Sequence, residues 1–110
     1  MIADALGVVR VARQVLLTIV INAALQIPGV VAMAESSERW PRIAGRPLPQ
    51  QGVALSIKEG SVATDLYLVV AHDVSVVGVG SAVQQEVAAA IEHMVGMRVR
   101  EVNVYIQDVA

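Results

Sequence analysis

The chain has 110 residues and no cysteine, which fits one domain with a single core and excludes disulfides, thiol catalysis and thiolate metal sites. Hydrophobic residues make up 55% of the chain and aromatic residues 3%, which predicts a globular protein with an aliphatic core. The formal net charge of -2 predicts no basic patch and therefore argues against binding to nucleic acid.

A short strand is predicted at residues 7–11, and a helix follows it. Four polar residues recur at every fourth position of this helix and therefore form one stripe: Gln14, Thr18, Asn22 and Gln26. The preceding arginines, the apolar run and an Ala-Met-Ala triplet also imitate a secretory signal, and the run approaches the length of a membrane span. A spanning helix would have to desolvate the polar stripe. We therefore favour a buried amphipathic helix, which Pro28 ends, over a signal peptide or a membrane span.

Two irregular segments come next. Residues 29–34, "GVVAMA", are a candidate for a short strand or a packed loop. Residues 35–51 hold three of the four prolines and the only tryptophan, which is typical of a connecting loop. We expect Trp40 to pin this loop onto the body of the domain rather than to bind a ligand.

A β-hairpin is predicted over residues 53–72, with Glu59 and Gly60 in its turn. In its second strand alternation places Leu66 on one face and Asp65 on the other, and we expect Asp65 to be exposed rather than a buried acid. His72 and Asp73 follow, and this pair is the best candidate for acid–base or metal chemistry. Because no third residue accompanies it, we interpret it as an ordinary turn.

The segment "VSVVGVGSAV" resembles the start of a dinucleotide-binding fold. That fold needs Gly or Ala where this chain has Val83, and an acid about 20 residues after the glycines, where this chain has Arg98 and Arg100. We therefore predict no cofactor and interpret the glycines as a flexible entry to a second helix. This helix is predicted to begin with Ser81 as N-cap and to end at Gly96. Its predicted buried stripe is Val83, Val87, Ala90, Ile91 and Met94.

The last predicted element is a half-buried strand at residues 99–109, where apolar and polar residues alternate. The elements define a single domain, residues 1–110, of the α/β (α+β) class. We predict a two-layer sandwich with a mixed, mostly antiparallel four-stranded sheet and two helices on one face. The order β-α-β-β-α-β makes the ferredoxin-like split βαβ arrangement the leading topology. A strand at residues 29–34 would add an edge member.

Two blocks of the chain carry a resemblance to a known family. The first block is residues 7–34. The second is residues 52–109, with Asp65-Leu66-Tyr67, Val95-Gly96-Met97 and the ending "EVNVYI". In these blocks the chain resembles the bacterial alkaline shock protein family, also called the general stress protein or envelope stress response family. The resemblance implies a non-enzymatic protein that associates with itself. It also implies a role in envelope homeostasis under stress and a cytoplasmic location, peripheral at the inner face of the membrane through a small membrane-anchor protein. It carries over no catalytic, cofactor-binding or metal residue.

Two hypotheses for function remain open. The first is an interaction module whose exposed sheet face or edge mediates homo-oligomers and partner docking, because its strands are rich in Val and Ile and carry little charge. The alternative is a small-molecule-binding regulatory module, since ferredoxin-like dimers often hold ligands between their sheets. Nucleic-acid binding on the sheet is not expected, because only two tyrosines are available to stack on bases.

Overall fold

The computed structural model describes residues 6–35 and 48–110, and within them two helices and four strands form a two-layer α+β sandwich. In chain order the elements are α1 (Arg13–Leu25), β1 (Val30–Met33), β2 (Val53–Lys58), β3 (Ser61–Val70), α2 (Val76–Ala90) and β4 (Arg98–Val109). A π-helical turn, Ile91–Val95, continues α2 and ends at Gly96, whose φ of +78° is left-handed.

The helix α1 is amphipathic, as its sequence predicts. All four residues of the polar stripe are exposed, while Leu16, Val20 and Ala24 on the other side are buried in the core. Thr18 Oγ1 donates a hydrogen bond to the Gln14 carbonyl at 3.0 Å, within the stripe itself. No helix in the described part of the chain is long and apolar enough to cross a membrane. The interpretation as a packed amphipathic helix is confirmed.

The sheet is built around β3. On one edge of β3, β2 pairs antiparallel with its first half and β1 pairs antiparallel with its end. On the other edge β4 pairs with β3 in parallel over its whole length. The turn between β2 and β3 contains Glu59 (φ +50°) and Gly60 (φ +75°), as expected for a tight hairpin. The predicted mixed, mostly antiparallel four-stranded sheet is confirmed.

Both helices pack on the same face of this sheet. Their buried side chains share one core with the inward residues of β2 and β3. Those of the helices are Leu16, Leu17, Val20, Ala23, Ala24, Val79, Val83, Val87 and Ile91. The even-numbered residues of β3 from Val62 to Val70 point into this core, because side chains of a strand alternate between its faces.

The strand predicted at residues 7–11 does not form, and this changes one detail of the topology. Residues 8–12 carry no regular structure, and Val8, Val9 and Val11 are exposed. Both edges of β3 are already paired, so no position next to it is left for that strand. In a split βαβ arrangement such a strand would separate β3 from β4, which are direct neighbours here. The segment left open at residues 29–34 supplies the fourth strand, β1, instead.

The start of α2 also differs from the prediction. Its N-cap is Ser75 and not Ser81, because Ser75 Oγ accepts a hydrogen bond from the Gly78 N–H at 3.1 Å. The two glycines of the Gly-x-Gly motif therefore lie within the first turns of the helix and not in a loop before it. Met94, predicted to be buried, is 69% exposed, because the π-helical turn shifts the inward face from Ile91 to Val95.

Trp40 and most of the predicted connecting loop, residues 36–47, lie outside the described residues.

Candidate interaction site

The sheet face opposite the helices carries a polar and aromatic cluster. Asp65, which is only 4% exposed, accepts a hydrogen bond from Asn103 Nδ2 at 2.9 Å. Beside this pair the rings of Tyr67 and Tyr105 stack, with centroids 5.0 Å apart and an interplanar angle of 20°. The register pairs Asp65 with Asn103 and Tyr67 with Tyr105. The parallel pairing of β3 and β4 therefore creates both contacts.

The expectation that Asp65 is exposed is wrong. Its strand is the central one of the sheet, so side chains of β2 on one side and β4 on the other crowd around it. Alternation along one strand shows which residues share a face. It does not show which strand is central, and the central position decides the burial of Asp65.

The strand β4 forms an edge of the sheet. It is the longest strand, with 12 residues, and β3 is its only strand partner in the described part of the chain. The direction of its backbone groups follows from the hydrogen bonds of β3. Tyr67 bonds through its N–H and C=O to Gly52 and Ala34, on the side of β1 and β2, whereas the Val70 carbonyl accepts from the Ala110 N–H on the side of β4.

Backbone groups of successive residues in a strand point to opposite sides. The even-numbered residues of β3 therefore bond to β4, and they do so through the N–H and C=O groups of Glu101, Asn103 and Tyr105. It follows that the same groups of Val102, Val104 and Ile106 point away from β3. We call this outward row of backbone groups the β4 edge.

One position of the β4 edge is already occupied by a side chain. Gln84 Nε2, from α2, donates a hydrogen bond to the Val102 carbonyl at 3.0 Å. This contact agrees with the assigned direction, in which the Val102 carbonyl does not bond to β3. Within the described residues the N–H groups of Val102, Val104 and Ile106 and the carbonyls of Val104 and Ile106 remain available to a further strand.

The candidates for acid–base or metal chemistry do not form a site. His72 and Asp73 lie in the turn after β3, as interpreted from the sequence, and both are exposed. The His72 Nδ1 atom lies 3.0 Å from the Ala110 carbonyl oxygen, so its contact is with backbone. In residues 6–35 and 48–110 no group of three or more His, Cys, Asp or Glu side chains is arranged to hold a metal ion. The assignment of no catalytic, cofactor-binding or metal residue stays a prediction.

The two helices and the four-stranded sheet together define a small two-layer α+β domain. The family is given by a model of the alkaline shock protein 23 family, described as having a cell envelope-related function, which matches residues 1–110. The chain belongs to this family.

The chain is also similar to a curated protein and to solved structures. The Uncharacterized protein Spy1614 of Streptococcus pyogenes serotype M6 is 26% identical over 106 residues, which cover 94% of this chain and 88% of that protein. Two solved structures of MamM CTD, each a histidine-to-alanine variant, have a TM-score of 0.57 and 13% identity, and the match covers 90% of this chain and 100% of theirs. At this identity the similarity shows the fold alone. It confirms the predicted ferredoxin-like α+β class.

Proposed function

We propose that this protein is a non-enzymatic module of cell envelope homeostasis and the stress response that acts by self-association through the β4 edge. The family has a cell envelope-related function, and the proposal specifies how this chain contributes to it. We place the protein in the cytoplasm, peripheral at the inner face of the membrane, where a small membrane-anchor protein holds it.

The observation that carries this proposal is the long edge strand. Natural proteins protect a sheet edge by keeping it short, covering it or placing Pro and Lys on it. β4 is 12 residues long and contains neither Pro nor Lys. Among the described residues, Gln84 is the side chain that bonds to the β4 edge, and it satisfies one carbonyl. An edge of this length with outward N–H and C=O groups is suited to adding a strand.

A second copy of the chain is the partner that the charges of β4 favour. If two β4 strands pair antiparallel with Val104 opposite Val104, then Val102 of one copy lies opposite Ile106 of the other. The outward N–H and C=O groups of these three residues then form the hydrogen bonds between the two copies. The same register places the backbone of Arg100 of one copy opposite that of Asp108 of the other, at both ends of the pairing, so no like charges oppose each other. Opposite charges across an antiparallel pair stabilise it, and like charges would oppose it.

Proline at Val104 tests this proposal. The Val104 N–H points away from β3, so proline removes a donor of the β4 edge without removing a bond between β3 and β4. We expect the wild-type chain to sediment as a dimer at high micromolar concentration and Val104→Pro to sediment as a monomer. Ile106→Pro removes the next outward donor and serves if Val104→Pro does not fold.

The matched control is Ile57→Pro on β2. The Val53 N–H donates to Gln50 and not to β3, so by alternation the Ile57 N–H also points away from β3. Ile57→Pro therefore removes an outward donor from the opposite edge of the sheet, and we expect it to remain dimeric. A wild-type chain that stays monomeric at every concentration contradicts the proposal, as does a folded, dimeric Val104→Pro.

The anchor is tested separately, by affinity purification of the full chain from a detergent-solubilised envelope fraction. We expect a small membrane protein to be enriched in a stoichiometric amount with the chain. Recovery of the chain alone would contradict docking to an anchor and would leave self-association standing.

A further inference from the structure

A pocket of about 460 Å³ opens at the end of the domain where three segments meet. These are residues 8–11 before α1, the β2–β3 turn and the end of the π-helical turn. The volume lies within the range of small-molecule sites, roughly 300–1,000 Å³. Its apolar walls are Val8, Val11, Leu16, Ile57, Val95 and Met97.

Arg10 is the one charged side chain among the described residues that line this pocket. It is exposed, and its side chain makes no hydrogen bond to another described residue. A guanidinium group binds carboxylate and phosphate oxygens in a bidentate manner, so it selects a planar or tetrahedral anion. The pocket therefore combines an anion-binding group at its rim with an aliphatic interior.

The surroundings of the pocket are basic. The five Lys and Arg side chains of the described residues all lie toward this end: Arg10, Arg13, Lys58, Arg98 and Arg100. The register places Lys58, Ser61 and Arg98 in one row across the sheet, next to Gly60 of the pocket wall. Arg13 donates to the Leu55 carbonyl, and Arg100 donates to the Ser56 carbonyl at 2.9 Å.

The acids are distributed differently from these cations. Glu59, Glu92 and Glu101 are the acids toward the pocket end, so five cations face three anions there. Asp73 and Asp108 lie at the opposite end, where the described chain has no Lys or Arg. The net charge of -2 hides this separation among the described residues.

Exposed apolar side chains lie beside the basic ones. Val8 is 55% and Val9 76% exposed, in a segment whose own residues form part of the pocket wall. Exposed apolar surface next to an apolar pocket indicates a binding site. A purely ionic ligand would not contact the apolar walls, and a neutral apolar ligand would not bind to the charge of Arg10.

We infer that this pocket binds an anionic amphiphile, with a carboxylate or phosphate head at Arg10 and a linear apolar tail between α1 and Met97. The inference is independent of self-association, because the pocket lies at the end of the domain and shares no residue with the β4 edge. The amphiphile is either a free molecule or a lipid of an anionic bilayer, and both sources offer the same chemistry.

The test uses decanoate below its micelle concentration, titrated into the full chain by calorimetry. We expect saturable binding of one molecule per chain. Arg10→Gln should weaken this binding at least about tenfold, because it removes a charge-assisted contact. The matched control Arg100→Gln removes the same charge outside the pocket and should change binding by less than about threefold. Decyltrimethylammonium has the same tail with a cationic head, and we expect it not to bind.

A second arm identifies the source. The same three chains are sedimented with vesicles of phosphatidylcholine alone and with vesicles that also contain phosphatidylglycerol. The site is supported if binding is lost in Arg10→Gln and retained in Arg100→Gln. Binding to decanoate then indicates a free amphiphile, and binding only to the phosphatidylglycerol vesicles indicates a bilayer lipid. Binding that Arg10→Gln does not weaken, equal binding of the cationic amphiphile, or no binding in either arm overturns it. Val104→Pro should bind as the wild-type chain does, which keeps this result separate from that for self-association.

Discussion

At Gly52 the surrounding backbone leaves little room for a side chain. The φ of Gly52 is +79°, and a Cβ there would lie 3.0 Å from the Ala34 carbonyl oxygen and 3.1 Å from that of Tyr67. Both are backbone atoms of paired segments and cannot easily move. We expect Gly52→Ala to lower the free energy of unfolding by about 2–3 kcal/mol, measured by urea denaturation.

The control for this prediction is Gly60→Ala. Gly60 has a similar φ of +75°, but a Cβ there meets no atom within 4 Å. Its substitution should lower stability only by the conformational term, about 1 kcal/mol. Equal losses in the two variants would show that the close approach around Gly52 does not contribute.

The Asp65–Asn103 hydrogen bond is the second residue-scale feature with a measurable effect. Asp65 is buried, and removing a donor from a buried carboxyl group leaves part of its hydrogen-bonding capacity unused. We expect Asn103→Ala to lower the free energy of unfolding by about 1–2 kcal/mol. Gln107→Ala, an exposed residue of the same strand, should change it by less than about 0.5 kcal/mol. A similar loss in both variants would contradict a specific role of this bond.

At the scale of elements, two serines near the start of α2 differ in whether they cap the helix. Ser75 accepts a hydrogen bond from the Gly78 N–H, whereas Ser81 lies exposed inside the helix. We expect Ser75→Ala to destabilise the protein by about 1 kcal/mol, because the cap is lost. Ser81→Ala should be neutral or slightly stabilising, because alanine is the better helix former. Thermal unfolding followed by circular dichroism measures both, and the reverse order would place the helix start at Ser81.

The elements that the sequence predicts well are those with a strong local pattern. The polar stripe that includes Gln14 and Asn22 identifies α1, and the Glu59-Gly60 turn identifies the hairpin. The start of α2 was less predictable, because Val76 and Val77 before the glycines are typical of a strand and Ser75 and Ser81 are equally good caps. Tertiary packing of Val79 and Val83 on the sheet decides between them.

At the scale of the whole molecule, the sheet order and the two surfaces depend on contacts between distant residues. The burial of Asp65 depends on its strand being central. The exposure of residues 8–11 depends on both edges of β3 being occupied. The pocket joins Arg10, Ile57 and Met97, which no local pattern connects. These features therefore could not be predicted from the sequence, although the layers and the fold class could.

Self-association through the β4 edge is the claim on which the proposed function depends. Its direct measurement is amide hydrogen exchange, resolved by NMR for Val104 and Ile106, at low and high protein concentration. Pairing of two β4 strands predicts that both amides exchange rapidly in the dilute chain and become protected as concentration rises, while the outward amide of Ile57 on the other edge does not change. Exchange at Val104 and Ile106 that stays rapid at every concentration would contradict the account.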